Sequence, residues 1–184
     1  MQIRDTGMGY GVITLVIHWV AAAAIFGVII FGLVMGRQET EVEKSQLIIF
    51  HASAGVIVFC LCLFRMYWRW RYFQPLPLGP ASPIEVMVAR VMALVLLFAG
   101  VAMPLIGWVA VSASGTSIEL FGTYQLPAIV DPGERLAAVT SFLHRLGAYA
   151  FIAGLLLHMF GGFKHHFILK DKTLVRMFGV KVEP

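Results

Sequence analysis

The chain has 184 residues, 59% of them hydrophobic and only 13% charged, about half the charged share of an ordinary soluble domain. A bilayer-crossing helix takes about 20 mostly apolar residues, so this length holds about four spans and excludes an aqueous domain of useful size. The net charge of +4 does not mark a nucleic-acid binder, because the basic residues stand between apolar runs, a pattern of membrane topology rather than of a phosphate-tracking stripe.

No residue from Thr6 to Gly36 is charged, and the first helix is expected over about 12–35. Arg4, the apolar run and the alanines at 21–24 imitate a secretory signal, but the run is too long for such a segment and reads as a retained helix. Gly36 and the charged stretch 37–44 end it. A second helix is expected over about 46–72, closing in Arg65, Arg69 and Arg71 interleaved with Tyr67, Trp68, Trp70 and Tyr72, a basic and aromatic belt for a membrane surface. Cys60 and Cys62, two residues apart on a helix, point about 200° apart and cannot pair with each other. They read as small core residues, and with no C-x-x-C-H, covalent haem attachment is excluded.

Pro75, Pro77, Pro80 and Pro83 make an extended linker. The third helix is expected over about 84–111, with Pro104 as a kink. A loop at 112–135 is long enough to fold in part. The fourth helix is expected over about 136–167. The predicted fold is all-α, a single domain over residues 1–184, an integral membrane four-helix bundle with up-down-up-down topology. The N-terminus, the 65–90 region and the C-terminal tail hold ten of the fourteen Lys and Arg. The opposite loops hold Arg37, Lys44, Arg135 and Arg145. The first side, with both termini, is therefore expected in the cytoplasm.

All six histidines fall on three of the four expected helices or at their ends, and ionisable residues inside a membrane helix are functional candidates. His144 and His158 are fourteen residues apart, so they share a helix face about 21 Å apart along the axis, one near each rim. His18, two turns into the first helix, matches His158 in depth; His51, two turns into the second, matches His144. Two facing pairs of neutral imidazoles in an apolar bundle suit bis-histidine ligation of haem iron. Zinc would need Cys or carboxylate to complete a tetrahedron, and apart from Glu85 no carboxylate lies well inside a span. Ala21, Ala22, Gly55, Gly147, Gly154 and Gly161 leave room for a macrocycle or serve close helix packing. His165, seven residues after His158, falls about 20° from the same face. It either contacts a quinone headgroup or belongs with Lys164, His166, Lys170 and Lys172 to a solvated basic tail.

With these histidines in place, the chain resembles the prokaryotic cytochrome b561 family. The tokens are Ile17-His18-Trp19, His51 with Gly55, Arg65 with Arg69, Pro104 with Gly107, and above all His165-His166, Lys170-Asp171, Thr173-Leu174 and Arg176-Met177. The resemblance covers nearly the whole chain. It implies a bacterial inner-membrane cytochrome with two b haems, ligated by the pairs His18–His158 and His51–His144, and a quinone contact at His165. One branch of the family oxidises superoxide at the periplasmic face and reduces ubiquinone. The chain departs from that branch in having no histidine on its third helix and fewer basic residues after Arg176.

The leading expectation is a membrane oxidoreductase linking a periplasmic electron donor, superoxide among the candidates, to the quinone pool. No catalytic side chain is assigned beyond Arg145, which adjoins His144 and could steer an anion. The alternative is an anchor subunit that takes electrons from a soluble dehydrogenase or hydrogenase. A histidine-lined metal transporter fares worst, since the spans lack the carboxylates and broken helices of such paths.

Overall fold

The computed structural model describes residues 2–72, 74–78 and 82–182; Pro80 of the proline linker lies outside them. Four long helices carry the chain: α1 (Val12–Met35), α2 (Glu41–Arg71), α3 (Pro83–Ala113) and α4 (Glu134–Phe163). Each contains a stretch long and apolar enough to cross a membrane, and large apolar side chains on them are exposed, among them Phe98, Phe142, Leu156 and Phe160. Such a surface would be a liability in water. In lipid it is the ordinary exterior, and the mostly helical fold has the expected membrane-bundle character.

Local chemistry sets the helix ends. At the head of α3, Ser82 and Glu85 form a capping box: the Glu85 amide donates to Ser82 Oγ at 3.2 Å and the Ser82 amide to Glu85 Oε2 at 3.0 Å, with Pro83 at the first helical position, where its missing N–H costs nothing. Helix α2 starts at Glu41, several residues earlier than the charged stretch suggested. Helix α4 ends earlier than expected: after Phe163 the backbone widens into a π-helical turn, Lys164–Ile168, followed by the short α5 (Thr173–Arg176). The long loop after α3 is folded in part. It holds an antiparallel hairpin of β1 (Ile118–Leu120) and β2 (Tyr124–Leu126). Its turn puts Phe121 and Gly122 at positive φ, 53° and 71°, as the tightest hairpin turns require.

The chain divides into two compact units. The first joins Met1–Val20, Leu63–Phe98 and Ala153–Pro184, and so contains both termini and one segment of each long helix. Its organising residue is Arg176, only 4% exposed. The guanidinium donates to the carbonyls of Met8 (3.1 Å), Leu76 (2.5 Å), Gly7 (3.0 Å) and Val182 (3.2 Å), tying the N-terminal segment, the linker and the tail together. Burial pulls its pKa below the ordinary arginine value. Asp5 closes the start of α1, accepting from the Gly11 amide at 2.6 Å, and burial raises its carboxyl. Aromatic side chains line the same unit: Trp68 Nε1 donates to Thr14 Oγ1 at 3.0 Å, and Trp19 Nε1 to the Met177 carbonyl at 2.8 Å.

The second unit joins Ala21–Cys62 and Ala99–Ile152. Small residues let its helices approach. A Cβ on Gly100 would lie 2.6 Å from Cys62 Sγ, and one on Gly147 2.6 Å from Met103 Sδ. The hairpin is fastened here, where the Phe121 amide donates to Ser53 Oγ at 2.8 Å.

Candidate functional site

Two of the histidines predicted to pair lie together in the second unit. His51 of α2 and His144 of α4 face each other with ring centres 6.0 Å apart and planes at 83°. Two imidazoles bonded to one metal through nitrogens at about 2 Å each would put their ring centres about 6 Å apart. Each ring is held from behind. His51 Nδ1 lies 2.9 Å from the Val28 carbonyl of α1, and His144 Nδ1 lies 3.1 Å from the Met103 carbonyl of α3. A carbonyl only accepts, so both rings carry their hydrogen on Nδ1, which leaves the Nε2 lone pair for a metal.

The seats share one construction. Four residues after each accepting carbonyl comes a glycine, Gly32 after Val28 and Gly107 after Met103. A Cβ on Gly32 would lie 3.0 Å from His51 Cε1 and 3.2 Å from its Nδ1; on Gly107 the same two distances recur to His144. Helical geometry puts residue i+4 one turn above residue i on the same face. The missing side chain is what allows an imidazole to lie flat against that turn and reach its carbonyl. Gly107 entered the sequence reading only as part of a resemblance, and Gly32 not at all.

The glycines that were read from sequence divide into two kinds. Gly147 and Gly154 pack helices: Gly147 against Met103 and Gly154 against Leu96. Gly55, one turn after His51, and Gly161, three residues after His158, pack against nothing: a Cβ on either would have no atom within 4 Å. Ala21 is fully buried core.

In the first unit His18, Arg65 and His158 form one electrostatic cluster. The Arg65 guanidinium lies 3.1 Å from His18 Nδ1, and its charge also reaches His158. A guanidinium only donates, so this His18 nitrogen holds a lone pair, opposite to the tautomer at His51 and His144. Iron ligation through His18 Nε2 requires Arg65 to turn aside. The second unit's pair therefore offers two imidazole lone pairs of the kind a haem iron takes, and the first unit holds the same residue types with Arg65 against one of them. Among the described residues no three His, Cys, Asp or Glu side chains gather in a group able to hold a metal ion.

His165 sits in the π-helical turn. The seven-residue step from His158 assumes regular α geometry, so the facing argument does not carry across this wider turn. Its Nδ1 is 2.5 Å from Asp171 Oδ2, a partner that spacing along α4 could not have revealed. Lys164, assigned in one reading to a solvated tail, pairs with Glu85 of α3 at 2.7 Å. Arg145, next to His144 on α4, is exposed.

A family model described as prokaryotic cytochrome b561 matches residues 9–180. The chain is 31% identical over 182 residues to cytochrome b561 homolog 2 of Escherichia coli (strain K12), covering 97% of this chain and 96% of that protein. It is 30% identical over 130 residues to cytochrome b561 homolog 1 of the same organism, covering 69% of this chain and 72% of that one. It is also 32% identical over 133 residues to the probable superoxide oxidase CybB of Yersinia pestis, covering 71% of this chain and 74% of that protein.

Proposed function

Because the chain belongs to the prokaryotic cytochrome b561 family of membrane electron-transfer proteins, we propose that it passes electrons from a small donor to a quinone through two b-type haems, one held by His51 and His144, the other by His18 and His158. The observation that carries this reading is the facing of His51 and His144 at 6.0 Å, each with its Nδ1 committed to a backbone carbonyl. Haem bound there supplies one-electron chemistry at an iron whose potential the surroundings tune.

The side chains have distinct tasks. His51 and His144 offer Nε2 to the metal, and the Val28 and Met103 carbonyls fix ring orientation and raise ligand basicity. Two imidazoles per iron leave no open coordination position, which suits electron transfer rather than oxygen binding. His165 contacts the quinone headgroup through Nε2, its Nδ1 being engaged by Asp171. The excess of Lys and Arg on the side of both termini supports a bacterial inner membrane with those termini in the cytoplasm, and so a quinone site near the cytoplasmic rim. The donor that we propose is superoxide, which gives up one electron and leaves as dioxygen. A relative named probable superoxide oxidase and the exposed Arg145 beside His144 support it.

The test is haem content of the purified full-length protein. Two low-spin haems per chain are expected, with one lost in His144→Ala or His51→Ala and the other in His18→Ala or His158→Ala. A single haem per chain, or both retained in His144→Ala, would falsify the pairing.

A further inference from the structure

We propose that Asp171 is the positioning residue of a proton-delivering pair with His165, which makes His165 Nε2 the atom that hands a proton to a quinone oxygen; this rests on the reading of His165 as the quinone contact.

The backbone is bent to bring the two groups together. Lys170 takes a left-handed conformation, φ 54°, uncommon outside glycine. The Asp171 amide then donates to the His165 carbonyl at 3.1 Å, turning the carboxylate back onto the imidazole. Oδ1 is taken by the Thr173 amide at 2.8 Å, and Oδ2 lies 2.5 Å from His165 Nδ1. The carboxylate is thus fixed from both sides, and Nε2 is the one ring nitrogen left to meet a ligand. The side chains are only 20% and 9% exposed, so this is a sheltered pair rather than a surface ion pair screened by water. Burial alone would raise the Asp171 carboxyl, but the bonds from His165 and Thr173 outweigh it and hold it below the usual carboxylate range. Other charges nearby are Lys164, whose partner Glu85 comes from α3, His166, Lys170 and Lys172, while Arg176 of α5 is spent on carbonyls.

Reduction of a quinone to a quinol takes two electrons and two protons. Bound haem would supply the electrons one at a time. As one arrives, the Nε2–H bond of the His165 imidazolium breaks and an O–H bond forms on the quinone. The neutral imidazole keeps its Nδ1–H on Asp171, and Nε2 takes a fresh proton from water. A second round completes the quinol. Asp171 stays ionised throughout, stabilising the imidazolium and fixing its tautomer, as a buried carboxylate does for a catalytic histidine elsewhere.

The experiment follows haem reoxidation by a short-chain ubiquinone analogue in stopped flow, from about pH 5 to 8, the range over which an imidazole titrates, with full-length protein in nanodiscs. Asp171→Asn keeps the carbonyl oxygen that Thr173 needs and removes the charge. It is expected to leave both haem spectra unchanged and to slow reoxidation at least ~10-fold. The pH profile of that rate should also change, because the imidazolium loses its counter-charge. Asp171→Glu should restore most of the rate, and His165→Ala combined with Asp171→Asn should be no slower than His165→Ala alone. If His165→Ala is slow but Asp171→Asn keeps the wild-type rate and profile, Asp171 is no part of proton delivery. A slow Asp171→Asn with an unshifted pH profile and no rescue by Glu excludes that role equally. Wild-type rates in His165→Ala would instead remove the quinone assignment itself.

Discussion

Replacing Arg176 by Met removes a charge and keeps much of the side chain's length and apolar stem. Arg176 is 4% exposed, and its guanidinium bonds to four carbonyls, of Gly7, Met8, Leu76 and Val182. At the low end of about 1.5 kcal/mol for a hydrogen bond to a charged group, those four sum to roughly 6 kcal/mol. Against this stand the several kcal/mol needed to hold a guanidinium out of water and partial rehydration of the freed carbonyls. The net loss expected is about 3 kcal/mol, a melting shift on the order of 10 °C for a chain of this size. Arg176→Lys should recover only part, since an ammonium cannot span the carbonyls that a planar fork reaches.

The assay is thermal unfolding of the haem-loaded protein in detergent, followed by haem absorbance, with limited proteolysis of the tail as a second readout. Lys181→Met, at an exposed position in the same tail, is the control and should shift nothing. A melting point in Arg176→Met within about 1 °C of wild type, well under the expected shift, would refute the idea that one side chain ties the two termini and the linker together. So would a fully wild-type Arg176→Lys, because it would mean that charge alone matters.

Other outcomes follow from the site. Gly107→Ala and Gly32→Ala put a Cβ 3.0 Å from an imidazole carbon; each should displace its histidine by a few tenths of an ångström against the carbonyl and shift or broaden the reduced absorption band of the haem proposed between His51 and His144. An unchanged spectrum in both would show that the seats are not needed for ligation. If superoxide is the donor, its reduction of that haem should slow as salt is added and slow several-fold in Arg145→Glu, since local charge rather than net charge steers an anion. The opposite loops carry Arg37, Lys44, Arg135 and Arg145 against Glu39, Glu41, Glu43, Glu119, Asp131 and Glu134. Salt-insensitive, slow reduction would therefore point to another donor.

The four spans were legible because length and the lack of charge are sufficient signals for lipid, and the histidines because an imidazole in an apolar run is costly to place without a use. Matching His51 with His144 by depth also worked, because straight helices convert residue number into height. Beyond Phe163 the arithmetic meets a π-helical turn that contains His165, and a left-handed Lys170 folds Asp171 back onto that histidine. Neither event leaves a clear mark in a single sequence. Arg176 was hidden for another reason: its four acceptors are backbone carbonyls from distant segments, and a carbonyl has no residue type to read.

The glycine seats expose a general gap in reading such chains. A ligating histidine needs a hydrogen-bond acceptor behind it, and in an apolar span the acceptors on offer are helix carbonyls already used once within their own helix. A carbonyl has a second lone pair, but the side chain one turn above shields it. Where that side chain is absent, as at Gly32 above Val28 and Gly107 above Met103, the carbonyl can serve the helix and the imidazole together. Only in the folded protein can it be known which helix backs which histidine, so the glycine cannot be assigned from its own neighbours in sequence. The useful sign is a glycine on one helix at the depth of a histidine on another. Helix α3 contains no histidine, yet through Met103 and Gly107 it does as much to orient His144 as α4 does to carry it.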